Sequence, residues 1–331
     1  MSDARAARRR SPLLAMLAAA LLVLPLLAGC VGDDAAGDPW GGSRPDALTV
    51  ATGGSTGIYH AYGVALAKVL ETRYDLPVKV DETGGSVENL KSLDAGTAQV
   101  AFSAADAARD AVAGEGEFDE PLDVRALGRV YDDFVHLVVP ANSDVRSIAG
   151  LAGKRVSLGA PGSGTALIAH RLLAAADVPR AALASRSLGL DDSIEALRDG
   201  EIDAFFWSGG LRTPGLTALA SDVPVRLVPL GDLVEEVRSR YGSGYRHGIV
   251  PDGMYGSPRA VETLAVPNFL MVRGDMPDAE ARTLVTTLFD ARAEISAQVP
   301  SAANLDRVRA IFTDPVELHP GALRYYRETK D

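Results

Sequence analysis

From residue 48 onward, short β-branched and apolar runs alternate with stretches in which apolar positions recur every three or four residues. Leu48 to Thr52 predicts a strand and about Gly57 to Arg73 a helix, whose one face carries Ile58, Ala61, Ala65, Leu66, Val69 and Leu70. A strand at Val78 to Val80, a helix over Val87 to Leu93 and a strand at Gln99 to Phe102 follow. That β-α-β-α-β order predicts a parallel, doubly wound sheet. After a strand-like crossing at Phe134 to Val139 the pattern restarts, with strands at Arg155 to Leu158, Ser185 to Leu188 and Asp203 to Trp207 and helices at Ala166 to Ala176 and Ser193 to Arg198. A further apolar run, Thr263 to Val272, can carry the chain back, and helices at about Ala279 to Val299 and Asn304 to Ile311 complete the first unit. The expected fold is α/β, two doubly wound lobes joined by a hinge of two crossings. Lobe I takes residues 47–138 and 265–331, and lobe II residues 139–264.

The N-terminus has a different pattern. Arg5, Arg8, Arg9 and Arg10 precede an unbroken apolar run from Pro12 to Leu27 that ends in Ala28 and Gly29, the layout of a secretory signal peptide over residues 1–29. Leu27-Ala28-Gly29-Cys30 is similar to a bacterial lipobox, which implies a diacylated Cys30 as the first mature residue. The alternative is an uncleaved membrane anchor, because the run approaches spanning length. Both place the bulk of the chain outside the cytoplasm. Residues 30–46 hold mostly Gly, Asp, Ala, Ser and Pro with one Trp, and read as a lipidated flexible tether. At 5–6 Å × √n, about 16 residues would reach roughly 20–25 Å.

Cys30 is the only Cys, so disulfides play no part. Without residues 1–29 the chain keeps 29 basic and 43 acidic side chains, a net charge of −14. That charge makes nucleic acid an improbable partner and anionic lipid an unfavourable surface, which leaves membrane attachment to the acyl chains.

Three loops each follow a strand and open a helix: Thr52-Gly53-Gly54-Ser55-Thr56-Gly57, Thr83-Gly84-Gly85-Ser86 and Pro161-Gly162-Ser163-Gly164-Thr165. Unpaired N–H groups and the positive end of the helix dipole favour an anionic ligand there, and such loops lie at the carboxyl ends of the strands of an open sheet. Any one of them alone is better explained as an ordinary turn with a Ser/Thr cap. Together, two in one lobe and one in the other, they could face across a cleft.

These loops, with Gly-Lys-Arg-Val-Ser-Leu-Gly-Ala before the third, Asp203-Ala-Phe-Phe-Trp207 and Leu318-His-Pro-Gly-Ala-Leu-Arg-Tyr-Tyr-Arg-Glu328, resemble in order the signatures of the TAXI family of TRAP-transporter solute receptors. The resemblance runs from about Leu48 to Glu328. It implies a type II periplasmic-binding-protein fold, no enzymatic activity, no cofactor, and a monomeric lipoprotein. Such a receptor closes on a small carboxylate of the glutamate, glutamine or organic-acid class and hands it to a TRAP-type permease. It also implies ligand contacts from Gly54, Ser55, Thr56, Gly57, Tyr59, Ser86, Asn89, Ser163, Gly164 and Thr165, with Trp207 and Tyr255 as walls. The chain departs from the family pattern at Tyr59-His60-Ala61, where Tyr-Tyr-Pro is usual, and at Ala104, where Gln is common, with Asp106 retained nearby as a further candidate.

Other readings weigh less. Gly53-x-Ser55-x-Gly57 satisfies a nucleophile elbow, so a secreted serine hydrolase using Ser55 is conceivable. An elbow on the first strand, however, has no preceding strand to supply an oxyanion-hole loop, and nothing in the sequence brings Asp252 and His319 together. The five His residues show no metal-ligand spacing, though His60 follows the first loop closely enough to reach a ligand. A receptor of the same fold serving a sensor kinase or thiamine-precursor uptake has the same sequence features.

Overall fold

A computed structural model describes residues 38–329. The first part of the chain runs β1 (Leu48–Ala51), α1 (Ile58–Tyr74), β2 (Val78–Asp81), α2 (Ser86–Asp94), β3 (Val100–Ala104) and α3 (Ala105–Ala113), then enters β4 (Val124–Pro140). The second part contains β5 (Arg155–Ser157), α4 (Gly164–Ala175), β6 (Ala184–Arg186), α5 (Leu190–Arg198), β7 (Ala204–Gly209) and α6 (Pro214–Asp222). It ends with β8 (Val225–Leu227), α7 (Val234–Tyr241) and β9 (Arg246–Val250). β10 (Val261–Arg273) leads back to α8 (Asp278–Asp290), α9 (Arg292–Gln298), the short α10 (Arg307–Ala310) and α11 (Pro320–Glu328).

The sheet order is β2-β1-β3-β10-β4-β7-β5-β6, with β8 added to β4 and β9 to β10. Each half keeps the parallel trio expected of a doubly wound unit: β2-β1-β3, with Val50 beside Val80 and Val100, and β6-β5-β7, with Val156 beside Ser185 and Ala204. The strands between the trios run antiparallel to their neighbours. β4 faces β10 through Arg129 and Phe269, and seven residues on it faces β7 through His136 and Trp207. Both passages between halves therefore lie within long shared strands, and the expected lobe boundaries fall inside them.

Several elements differ from the sequence reading. β4 starts ten residues before the expected crossing, because Arg125, Gly128 and Arg129 interrupt the apolar run while their neighbours stay buried. The long C-terminal helix is broken at Ala291, and the next one shrinks to Arg307–Ala310. α3 lies outside the expected elements: its sequence Ala-Asp-Ala-Ala-Arg-Asp-Ala-Val-Ala holds no apolar side chain larger than Val112.

The tether is also shorter than expected at its C-terminal end. Trp40 is buried edge-on against Tyr74 at 5.3 Å between centroids, and the Thr283 hydroxyl donates to the Pro39 carbonyl. Arg44 donates to the Asp75 carbonyl at 2.7 Å. One large indole in a polar stretch is enough to dock it. The earlier tether residues, the signal-peptide region and Cys30 lie outside the described residues.

One apolar layer runs beneath both halves, from Leu90, Ala107 and Phe269 to Leu172, Phe206 and Tyr245. The opposite faces carry separate clusters, one around Tyr62, Phe102 and Leu288 and one around Phe205, Leu216 and Leu219.

Candidate functional site

The three glycine-rich loops leave β1, β2 and β5 at their carboxyl ends and meet over the centre of the sheet. The second and third loops touch directly: the N–H groups of Val87 and Glu88 both donate to the Gly162 carbonyl at 3.1 Å. Glycine is required for this approach. A Cβ on Gly84 would lie 2.4 Å from the Pro161 carbonyl oxygen, and Gly85 has φ 123°, which side chains rarely adopt. Ser163 caps α4, its hydroxyl accepting from Ala166 N at 3.0 Å. The first loop crosses to the other half at Asp191, in the first turn of α5, which accepts from the hydroxyls of Ser55 (3.3 Å) and Thr56.

A cavity of about 100 Å3, partly open to solvent, lies between these loops and the shared strands. Gly54, Gly57, Tyr59 and Ser86 line it from the first half, and Ser163, Gly164, Thr165, Phe206 and Trp207 from the second. Tyr131 and Asp133, on β4, form its floor. Among the described residues, the lining includes no Lys, Arg or His. Positive potential at the cavity is left to backbone N–H groups at the helix starts, those of Val87 and Glu88 being already taken by the Gly162 carbonyl.

Asp133 is the cavity's carboxyl group. It is 4% exposed, Oδ2 accepts from the Ser208 hydroxyl at 3.3 Å, and Oδ1 has no hydrogen-bond partner. Burial pushes its pKa up to about 7, although the Asn268 amide and Ser208 hydroxyl favour the ionised form. Tyr59 and Tyr131 are raised well above the usual phenol range, chiefly by burial and then by Asp133, so both remain hydrogen-bond donors. The Tyr59 hydroxyl donates to Asn268 Oδ1 and lies 3.1 Å from Ser86 Oγ. Further along β4, burial lowers His136 to about 4, so it is neutral at pH 7.

The NMT1-like family pattern matches residues 50–329, from within β1 to the last described residue. The chain belongs to the NMT1-like family. Solved structures with the same fold include a protein from Bordetella bronchiseptica RB50, at 18% identity and TM-score 0.51, covering 86% of this chain and 89% of that one. Another, described as an L-cystine ABC transporter of Listeria monocytogenes, has 16% identity and TM-score 0.50, with 78% and 98% covered. The periplasmic aliphatic sulphonate binding protein SsuA of Escherichia coli matches at 16% identity and TM-score 0.43, with 86% and 84% covered. At such identities the likeness to the first two shows the fold alone: α/β, with two doubly wound halves.

Within this NMT1-like fold, the expected site residues separate into two groups. Gly54, Gly57, Tyr59, Ser86, Ser163, Gly164, Thr165 and Trp207 line the cavity together. Ser55 and Thr56 sit outside it and turn to Asp191. Asn89 is consumed by the fold: its amide donates to Thr52 O and to Phe102 O (2.8 Å), and its oxygen accepts from Thr83 at 2.6 Å. Asp106 accepts from the Tyr245 hydroxyl at 2.7 Å and faces Arg171 at 3.8 Å, away from the cavity. Tyr255 supports the site from behind, its hydroxyl accepting from Thr213 N at 2.8 Å while Thr213 Oγ1 accepts from Trp207 Nε1 at 3.1 Å. His60 does not line the cavity.

The elbow Ser55 has a carboxylate as its partner and no imidazole, while His319 is buried as the cap of α11, accepting from Gly321 N at 3.1 Å. Asp133 and Tyr131 were missed as cavity residues. Their signal is present in the sequence, because Asp133 occupies an inward position of β4, in step with Tyr131 and Val135, where an apolar residue is normal.

Proposed function

We propose that this protein is an extracytoplasmic solute receptor of the TAXI type, held to the membrane through acylated Cys30. It closes two lobes over a small carboxylate or amino acid, does not transform it, and passes it as a monomer to a TRAP-type permease. The observation that carries the reading is the cavity, whose lining comes from both lobes and from three loops that open helices. Neither lobe alone can strip water from a small polar solute, so binding and closure are one event. A receptor reading also accounts for Ser55 bonded to a carboxylate and for three glycine-rich loops used as walls.

Titration calorimetry against amino acids and dicarboxylic acids tests it. The expected result is one solute bound at micromolar affinity or tighter, about −8 kcal/mol or better, and recovered chemically unchanged. A product accumulating during the titration would sink the receptor reading.

A further inference from the structure

We infer that Asp133 selects the solute: its buried carboxylate on the cavity floor takes a protonated amine, so the cavity is built for a zwitterionic amino acid and against the same carbon skeleton without nitrogen. The inference rests on the receptor reading above and narrows its solute class.

Two ends of the cavity differ in charge. The loops bring helix N-termini and the hydroxyl of Thr165, which suit a carboxylate, while the Ser163 hydroxyl already donates to the Ala160 carbonyl at 2.7 Å. The floor brings Asp133 from the hinge strand, almost fully buried and with Oδ1 lacking a donor. A buried carboxyl oxygen without a partner is costly, and such groups normally find a donor in the protein, in water or in a ligand. Here the lining holds no cation that could supply one. The groups that face Asp133 repeat the deficit. Tyr59 comes from α1, Tyr131 and Asp132 from its own strand, Asp106 from α3, Ser208 from β7 and Asn268 from β10, and none of them carries positive charge. A dicarboxylate would add negative charge beside this group. An amino acid brings its own cation to the floor and leaves its carboxylate for the loops.

A proton count separates the two cases. With its pKa pushed up to about 7, Asp133 is partly protonated in the empty cavity at neutral pH. An arriving ammonium favours the ionised carboxylate, so the protein should release up to about half a proton at pH 7. A solute that needs Asp133 as a neutral donor would instead cause proton uptake.

The experiment is calorimetry at pH 7 in two buffers of different ionisation enthalpy, with L-glutamate, L-glutamine, glutarate and 2-oxoglutarate as probes. The expected result is that an amine-bearing probe binds at least tenfold tighter than its amine-free counterpart, with protons released to the buffer. Asp133→Asn should then lose at least tenfold in affinity for the amine-bearing probe and abolish the release. If Asp133→Asn does not fold, the proton count on the unaltered protein still decides. Tighter binding of glutarate or 2-oxoglutarate, or proton uptake, overturns the inference and leaves the receptor reading intact. Failure of all four probes to bind overturns it together with the proposed solute class.

Discussion

At Thr165 the hydroxyl oxygen accepts the Ser208 N–H at 3.1 Å, and its own hydrogen is left to be donated into the cavity it lines. Thr165→Val keeps the shape and removes both functions. One lost hydrogen bond to a charged solute oxygen costs about 1.5–3 kcal/mol, a weakening of tenfold or more, and the stranded Ser208 N–H costs stability of about 1–3 kcal/mol. Thr165→Ser should retain affinity and most of the stability. Calorimetry and thermal unfolding of the two variants check this, and equal affinity in both would show that the hydroxyl serves only Ser208. Thr165 was legible from its place in a Gly-Ser-Gly-Thr turn opening a helix. Asn89 was misread for a physical reason: a buried amide can satisfy every polar atom on nearby backbone, and residue type alone does not separate that use from ligand contact. Asp133 is an isolated acid at an inward strand position, away from the glycine and hydroxyl clusters by which the loops signal a ligand.

Elements were easier to read than their partners. β1, α1, β2, α2 and β3 begin and end within two residues of where the apolar pattern puts them. Which element meets which across the cleft was not legible, since Thr56 and Asp191 are 135 residues apart and each looks like a helix-start residue. That pairing changes what Thr56 does. Its hydroxyl fastens the first loop to the N-terminus of α5, so its effect on affinity should come through the closed state rather than through the solute. Thr56→Val and Asp191→Ala should each weaken solute binding severalfold, and the double variant should weaken it no more than either alone. For an exposed pair the coupling should be about 0.2–1 kcal/mol. Stopped-flow dissociation rates from the four proteins give the cycle. Strictly additive effects would mean that the two side chains act independently.

At the scale of the whole molecule, the contacts between lobes differ in strength from one side to the other. Near the hinge, Arg171 of α4 bonds Asp110 of α3 and the Tyr245 hydroxyl (2.8 Å), all of them buried, and its guanidinium stacks 4.8 Å from the centroid of the Tyr241 ring. Removing one partner from such a buried set typically costs about 3–5 kcal/mol, whereas an exposed contact such as Thr56 to Asp191 is worth about 0–1 kcal/mol. Opening should therefore break the exposed contact first and leave α3 and α4 together, a rotation about the Arg171 side with the continuous apolar layer kept intact. This predicts unequal distance changes. With Cys30, the only cysteine, replaced by Ser, spin labels at Glu82→Cys and Glu195→Cys report the far side, where β2 and β6 are the edge strands. Labels at Glu117→Cys and His170→Cys report the hinge side, where those two side chains already sense each other's charge. Adding a confirmed solute should shorten and narrow the first distance distribution and leave the second unchanged. Equal shortening of both would mean that the lobes translate together, and the buried Arg171 cluster could not then be the pivot.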